Sequence, residues 1–261
     1  MNHSRFFIVI VMVLLIGFAV STVDAKTIEI TPNHSAGEIN KFFNNNGKIE
    51  NKTLSKGDIV IFNKGNYNDL NIKIKKKITI KSKGKVQILG SHSSDYGISI
   101  YADSVKIQGL IIKSYRDGIY IEGNKNQIIN NEIAYNRANG VYIKKGSENI
   151  IKSNQIHKNK LYGVLIRGSS NTISKNKIRN CNDGVTLQKG IKNKITSNTL
   201  SSNKWNGVLI EKWSKSNTIT KNTITKNNAG IFIYYESKNT VSKNKFSKNK
   251  KFNKGLFTYG E

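Results

Sequence analysis

Carboxylates and cations are the side chains here whose spacing could support chemistry on a sugar chain. Acids are few: 16 Asp and Glu stand against 43 Lys and Arg. Asp117 and Asp183 hold equivalent positions of an internal repeat, and so do Glu122 and Glu211. If each repeat is one rung of paired strands, Asp117 and Asp183 lie about 14 Å apart, and Glu122 and Glu211 about 19 Å. Asp117 and Glu122 bracket one strand, about 15 Å from end to end. Glycoside hydrolysis needs two carboxyl groups about 5 to 10 Å apart, which none of these pairs meets. A calcium-dependent lyase needs clustered carboxylates beside a base. Arg167 offers the base without the cluster, so a lyase reading centres on Lys144, Arg167 and Asp183, and only that reading calls for Ca2+. Glu122 beside Lys144 reads more simply as an exposed ion pair between repeats, worth little.

Metal and redox chemistry find little material. Beyond residue 25 the histidines are His34, His92 and His157, no methionine remains, and Cys181 is the single cysteine. No soft metal site, no resident cofactor and no intrachain disulfide is predicted. Cys181 reads as a small buried hydrophobe.

The richer signal is aromatic. A Gly-apolar-x-apolar motif recurs with its glycine at 97, 118, 140, 163, 184, 207, 230 and 255. Its middle, outward column runs Ser99, Tyr120, Tyr142, Leu165, Thr186, Leu209, Phe232, Phe257. Beside it run Tyr101, Glu122, Lys144, Arg167, Gln188, Glu211, Tyr234, Tyr259 on one side and Tyr96, Asp117, Asn139, Tyr162, Asp183, Asn206 on the other. Rings next to cations suit an acidic sugar chain, stacking on aromatics while Lys144 and Arg167 meet carboxylates. The candidate ligand-binding residues are therefore Tyr120, Tyr142, Lys144, Tyr162, Leu165, Arg167, Leu209, Phe232 and Tyr234. Two other readings stand beside this one: a ladder that merely stabilises parallel strands, and an exposed apolar stripe that contacts protein.

The elements that must position these residues follow from the rest of the repeat. Two more short strands, Asn-x-Ile-x-x-Asn-x-Ile, come after each glycine-led one, with asparagines in columns. One column is Asn126, Asn149, Asn171, Asn193, Asn217, Asn239; a second is Asn131, Asn154, Asn176, Asn198, Asn222, Asn244. A third, Asn136, Asn159, Asn203, Asn227, Asn249, is broken by Cys181. Three short strands per turn, each pairing with its copy in the next turn, predict an all-β, right-handed parallel β-helix solenoid. Asparagine fits the corners because it tolerates the left-handed backbone and its amide can bond along the stack. The isoleucine columns fill a narrow core.

Residues 26–56 read as an N-terminal cap segment. Ser35-Ala36-Gly37-Glu38 has capping-box spacing before a short helix with one apolar side, Ala36, Ile39, Phe42 and Phe43. Residues 57–261 read as β-helix repeats, the early rungs carried by Ile59 to Phe62, Ile72 to Ile74, Ile78 to Ile80 and Val86 to Ile88. The last turn, from Gly255, is expected to be uncapped and open to self-association. Residues 1–25 read as a signal peptide: Arg5, an apolar run from Phe6 to Val20, then Val23-Asp24-Ala25. The run is too short for a permanent anchor, so no stable membrane insertion is expected. A secreted, extracellular or cell-surface location follows. Net charge +27 suits a polysaccharide or cell-surface polyanion, while export and the lack of a recognisable module disfavour nucleic acid. Asn33-His34-Ser35 and Asn51-Lys52-Thr53 make Asn33 and Asn51 glycosylation candidates.

With these residues in view, the chain resembles the right-handed parallel β-helix superfamily of pectate-lyase-like carbohydrate-binding proteins and sugar hydrolases. Gly57-Asp58-Ile59-Val60-Ile61-Phe62-Asn63-Lys64-Gly65-Asn66-Tyr67, continuing to Lys77-Ile78-Thr79-Ile80, is similar to the entry segment of adhesin-like surface proteins of methanogenic archaea. The resemblance implies the fold and leaves function open among lyases, hydrolases, epimerases and non-catalytic adhesins. The reading carried forward is a non-catalytic surface β-helix that binds carbohydrate or polyanion. A polysaccharide lyase and a structural envelope component are the alternatives.

Overall fold

The computed structural model describes residues 25–91, 93–234 and 238–251, and the backbone of the strand Leu256–Tyr259. Residues 1–24, on which the signal-peptide reading of residues 1–25 rests, and the glycine at 255 lie outside the described residues. A complete turn consists of three strands, as in Asp117–Ile121, Gln127–Ile129 and Glu132–Ala134. The same three recur as Tyr162–Ile166, Thr172–Ser174 and Lys177–Arg179. Every strand pairs parallel with its equivalent in the next turn, in register: Ile119 with Val141, Val141 with Val164, Val164 with Val185.

Glycine-led strands build one nine-stranded sheet, from Ile72–Ile74 at one end to Leu256–Tyr259 at the other. The remaining two strands of each turn build two arms of a 16-stranded sheet. Those arms meet because the early strands are long. Lys106–Lys113 pairs through its first half with Gln127–Ile129 and through its second with Glu132–Ala134. The short stretches Ile78-Thr79-Ile80 and Val86-Gln87-Ile88 fall at the two ends of one strand, Thr79–Leu89, which keeps its pairing through a bulge.

The core is one cluster of stacked columns of mostly aliphatic side chains. Ile128, Ile151, Ile173, Ile195 and Ile219 are inaccessible to solvent, each stacked on its register partner. Glycine leads each strand for a reason of packing. A methyl group added at Gly163 would stand 2.5 Å from the Gly184 carbonyl oxygen, and one at Gly184 equally close to that of Gly207. At the N-terminal end the helix Ala36–Phe43 buries Ile39, Phe42 and Phe43, and Ser35 and Glu38 form both halves of a capping box. The preceding strand, Thr27–Ile30, pairs parallel with Ile59–Asn68, so the segment before the helix also continues the sheet.

The asparagine columns form hydrogen-bonded ladders, but the left-handed backbone is not in them. Positive φ belongs to the residue just before each ladder asparagine: Lys125, Asn130, Tyr135, Glu148, Ser153, Lys158 and their successors. Corner geometry and amide pairing are thus divided between neighbours. The left-handed residue turns the chain, which polar side chains tolerate at some cost, and the asparagine turns inward and is buried. Ladder amides within the columns are saturated, whereas Asn126 Nδ2, at the start of its column, is buried without a hydrogen-bond partner among the described residues. Asn154 Oδ1 accepts from Asn131 N and Nδ2, at 2.9 and 3.1 Å, and Asn154 Nδ2 donates to the Ile128 carbonyl at 2.9 Å. Cys181 keeps the place in its column as a buried thiol. Its N–H still donates to Asn203 Oδ1 at 3.1 Å, and burial pushes the thiol up to about 11.

Candidate functional site

The outward column of the glycine-led sheet is not an exposed stripe. Tyr120, Tyr142, Leu165 and Leu209 are each under one tenth exposed, Ser99 and Thr186 are buried, and Phe232 is half-buried. Strands one rung apart bring these side chains into contact with each other, and the bulky neighbours fold over them. Tyr120, Tyr142 and Leu165 form a second apolar cluster outside the solenoid, packed by Tyr96 and Tyr162. Tyr120 stacks at 4.6 Å on Tyr96 and meets Tyr142 edge-on at 5.5 Å. Arg116 lies 5.2 Å over the Tyr96 ring and Arg167 5.7 Å over Tyr142. The column is therefore the floor of the face, and what a ligand meets are its rims.

On one rim, Tyr120 donates from its hydroxyl to Glu122. That hydrogen bond is the main reason the Glu122 carboxyl sits below the usual range, helped by Lys145 and Lys144. The ion pair of Glu122 is with Lys145, at 3.4 Å, rather than with Lys144. Lys145 is the residue that projects back across the rung, while Lys144 is half-buried. Farther along, Arg167 Nε donates to Gln188 Oε1 at 2.9 Å, and Gln188 Nε2 donates to Glu211 Oε1 at 2.8 Å. This polar ladder across three rungs leaves the terminal nitrogens of Arg167 without a protein partner among the described residues.

The opposite rim holds Asp117 and Asp183, both buried. Asp117 accepts from Asn139 N and Nδ2 at 3.0 and 2.6 Å, and Arg116 lies 3.3 Å from its other oxygen. Asp183 accepts from Asn206 N and Nδ2 at 2.9 and 2.7 Å. Burial raises both carboxyls above their ordinary value against those hydrogen bonds. Lys144, Arg167 and Asp183 are therefore not one constellation: Asp183 is sealed by Asn206, while Arg167 is engaged on the far rim.

The feature that sequence reasoning missed is Trp213. It is 64% exposed, at a left-handed backbone position (φ 66), with Lys212 4.9 Å and Lys189 5.5 Å from its ring. With Arg167, Gln188, Lys189, Glu211 and Lys212 it lines a cleft of about 400 Å³. A signal was present: the link from the motif glycine to the ladder asparagine runs from Gly163 to Asn171 in one turn but from Gly207 to Asn217 here. Those extra residues bulge out and carry the indole. Tyr234 is exposed and meets Phe232 edge-on at 4.8 Å. Asn33 and Asn51 both lie exposed in turns.

Among the described residues no group of three or more His, Cys, Asp and Glu is placed to hold a metal ion. Among them, too, no helix is long and apolar enough to cross a membrane.

Over 74 residues the chain is 38% identical to a cell surface glycoprotein of Methanothermus fervidus, a match covering 28% of this chain and 12% of that protein. The chain thus matches about one eighth of that relative's length. Solved structures of similar fold include an alginate lyase from Paenibacillus (16% identical, TM-score 0.60, covering 90% of this chain and 98% of that one). Pectate lyase Pel9A is similar as well (15%, TM-score 0.58, 86% and 79%), as is a periplasmic alginate epimerase (14%, TM-score 0.59, 73% and 51%). At such identities the likeness is one of fold. The family model described as "right handed beta helix region" matches residues 17–217 and 117–261, and with its parallel three-strand turns the chain belongs to that family.

Proposed function

We propose that the protein is an extracellular or cell-surface β-helix that binds acidic polysaccharide on its glycine-led face, with the Trp213 cleft as the main contact. The cleft carries the reading: an exposed indole, cations from Arg167, Lys189 and Lys212, and a fixed amide at Gln188 line one open hollow. A pyranose ring can stack on the indole while a carboxylate meets the free end of Arg167. Tyr162, Lys144 and Tyr234 extend the rims, and the buried Tyr120, Tyr142, Leu165 and Leu209, with the half-buried Phe232, hold the floor rigid. The formal charge of +27 favours a polyanion. Resemblance to a cell surface glycoprotein and to folds that act on alginate and pectate supports the location and the ligand class.

This face binds without cleaving, because Asp117 and Asp183 are buried under amides and Glu122 is held by Tyr120 and Lys145. The test is binding of the mature protein to a panel of acidic and neutral polysaccharides at several salt concentrations. Acidic polymers should bind, more weakly as salt rises, and Trp213→Ala should weaken them. Equal affinity for neutral and acidic polymers, or indifference to Trp213→Ala, rejects the assignment.

A further inference from the structure

The third strand of each turn carries a charge pattern that the glycine-led face does not use. From Lys177 onward its two outward columns run in register. One is Lys177, Thr199, Thr223 and Lys245, the other Arg179, Ser201, Thr225 and Ser247. Left-handed corners flank these strands. One row of corners holds Lys175, Ser197, Lys221 and Lys243, and the other Asn180, Ser202, Lys226 and Lys248. All of these lysines and Arg179 are exposed, and none has an ion pair among the described residues. Among the described residues from Lys175 onward the only acids are Asp183 and Glu211, and both belong to the glycine-led face.

Neither the backbone nor the core asks for lysine at these places. A left-handed corner favours Gly, Asn or Asp, and Asn180 alone among these corner residues is of that kind. Behind the strands the core is already filled by Ile178, Leu200 and Ile224, which are inaccessible to solvent. The patch is level, because every turn repeats the same backbone. Four turns make it about 14 Å long, and the five residues from corner to corner make it at most about 17 Å wide. Its outward positions carry ammonium, guanidinium, hydroxyl and one amide, with no aromatic or aliphatic side chain.

These features select the partner. Without rings to stack on, the patch has no hold on the faces of sugars or bases. A single polymer strand lying along the stack would engage one row, whereas cations here stand in both corner rows and on the strands between them. Lysine meets phosphate as a point charge, and the hydroxyls of Thr199, Ser201, Thr223 and Thr225 supply donors between the charges. A flat field of phosphate groups reaches every row at once. We propose that this face docks the protein on a bilayer surface bearing anionic phospholipid headgroups, with no side chain entering the hydrocarbon. Charge alone then holds the protein at the lipid surface. The proposal does not rest on polysaccharide binding, since the Trp213 cleft belongs to the other sheet.

The experiment is sedimentation of the mature protein with vesicles of phosphatidylcholine alone and with vesicles in which one lipid in three is phosphatidylglycerol. The protein should sediment with the anionic vesicles only, and release as salt is raised to several times physiological strength. A triple variant, Lys226→Asn, Lys243→Asn and Lys248→Asn, keeps residues that accept the left-handed corner. It should bind the anionic vesicles about 100-fold more weakly, about fivefold for each lysine, with an unchanged melting temperature. A matched triple, Lys56→Gln, Lys75→Gln and Lys85→Gln, removes the same charge from exposed positions of the first turns and should bind like the parent. Equal binding to neutral vesicles, or an equal loss in the two triples, overturns the proposal. So does indifference to both kinds of vesicle while the same three lysines hold duplex nucleic acid, which would make the partner a phosphodiester polymer.

Discussion

Asn176 Oδ1 accepts two hydrogen bonds from Asn154, one from the backbone N–H at 2.9 Å and one from the side-chain amide at 3.0 Å. Asn176 in turn donates to the Ile151 carbonyl at 2.8 Å. A single side chain thus satisfies a buried N–H and a buried C=O of the preceding turn. Asn176→Ala should cost about 1 to 3 kcal/mol, the penalty for leaving buried groups unpaired. Chemical denaturation of the variant against the parent measures this, and a difference within experimental scatter would remove the ladder from the account of stability.

The motif glycine can be tested in the same way. In Gly163→Ala the new methyl would press on the Gly184 carbonyl oxygen at 2.5 Å, so neighbouring strands must separate. A loss of about 1 to 3 kcal/mol is expected, the usual cost of overpacking. An unchanged melting temperature would show that the strands give way freely.

Cys181 should behave as a sealed thiol. Its pKa, pushed up to about 11 by burial, leaves little thiolate near neutrality. Alkylating reagents at pH 8 should label it only after unfolding. Cys181→Asn restores the third column and should be neutral or stabilising; rapid labelling of the folded protein would contradict the burial.

Asp183 supplies a pH signature. Burial raises its carboxyl above the ordinary 3.8, so the folded state holds the proton more tightly than the unfolded chain. The stability this contributes is complete below the unfolded pKa and is lost as pH rises through the folded one. Asp183→Asn keeps an acceptor for Asn206 and removes the charge, so stability should fall less between acid and neutral pH than in the parent. Parallel unfolding curves at both pH values for the two proteins would sink this explanation.

For the binding face, Trp213→Ala and Arg167→Ala should each weaken acidic polysaccharide about 10-fold, roughly 1.4 kcal/mol. Tyr142→Ala should act differently, lowering stability by opening the buried aromatic cluster. Titration calorimetry paired with thermal melts separates the two effects. Loss of affinity in Tyr142→Ala without loss of stability would return the contact to the floor of the face.

The sequence by itself determined the solenoid. Glycine, isoleucine and asparagine recur at equivalent places because each turn must repeat the same backbone at the same spacing, so Ile128 and Ile151 announce one core and Asn131 and Asn154 one ladder. The cap helix was equally legible, since the capping box of Ser35 and Glu38 is a local contact. Only the tertiary structure decided which residues face a ligand. Side chains one rung apart touch regardless of their distance in sequence, and packing of Tyr96 and Tyr162 closes the Tyr120, Tyr142 and Leu165 column that alternation alone points at solvent. The same crossing of turns lays Lys158 against Tyr135 and Lys189 against Trp213. Period and alternation are set along the chain, but burial is set by what a neighbouring turn places overhead.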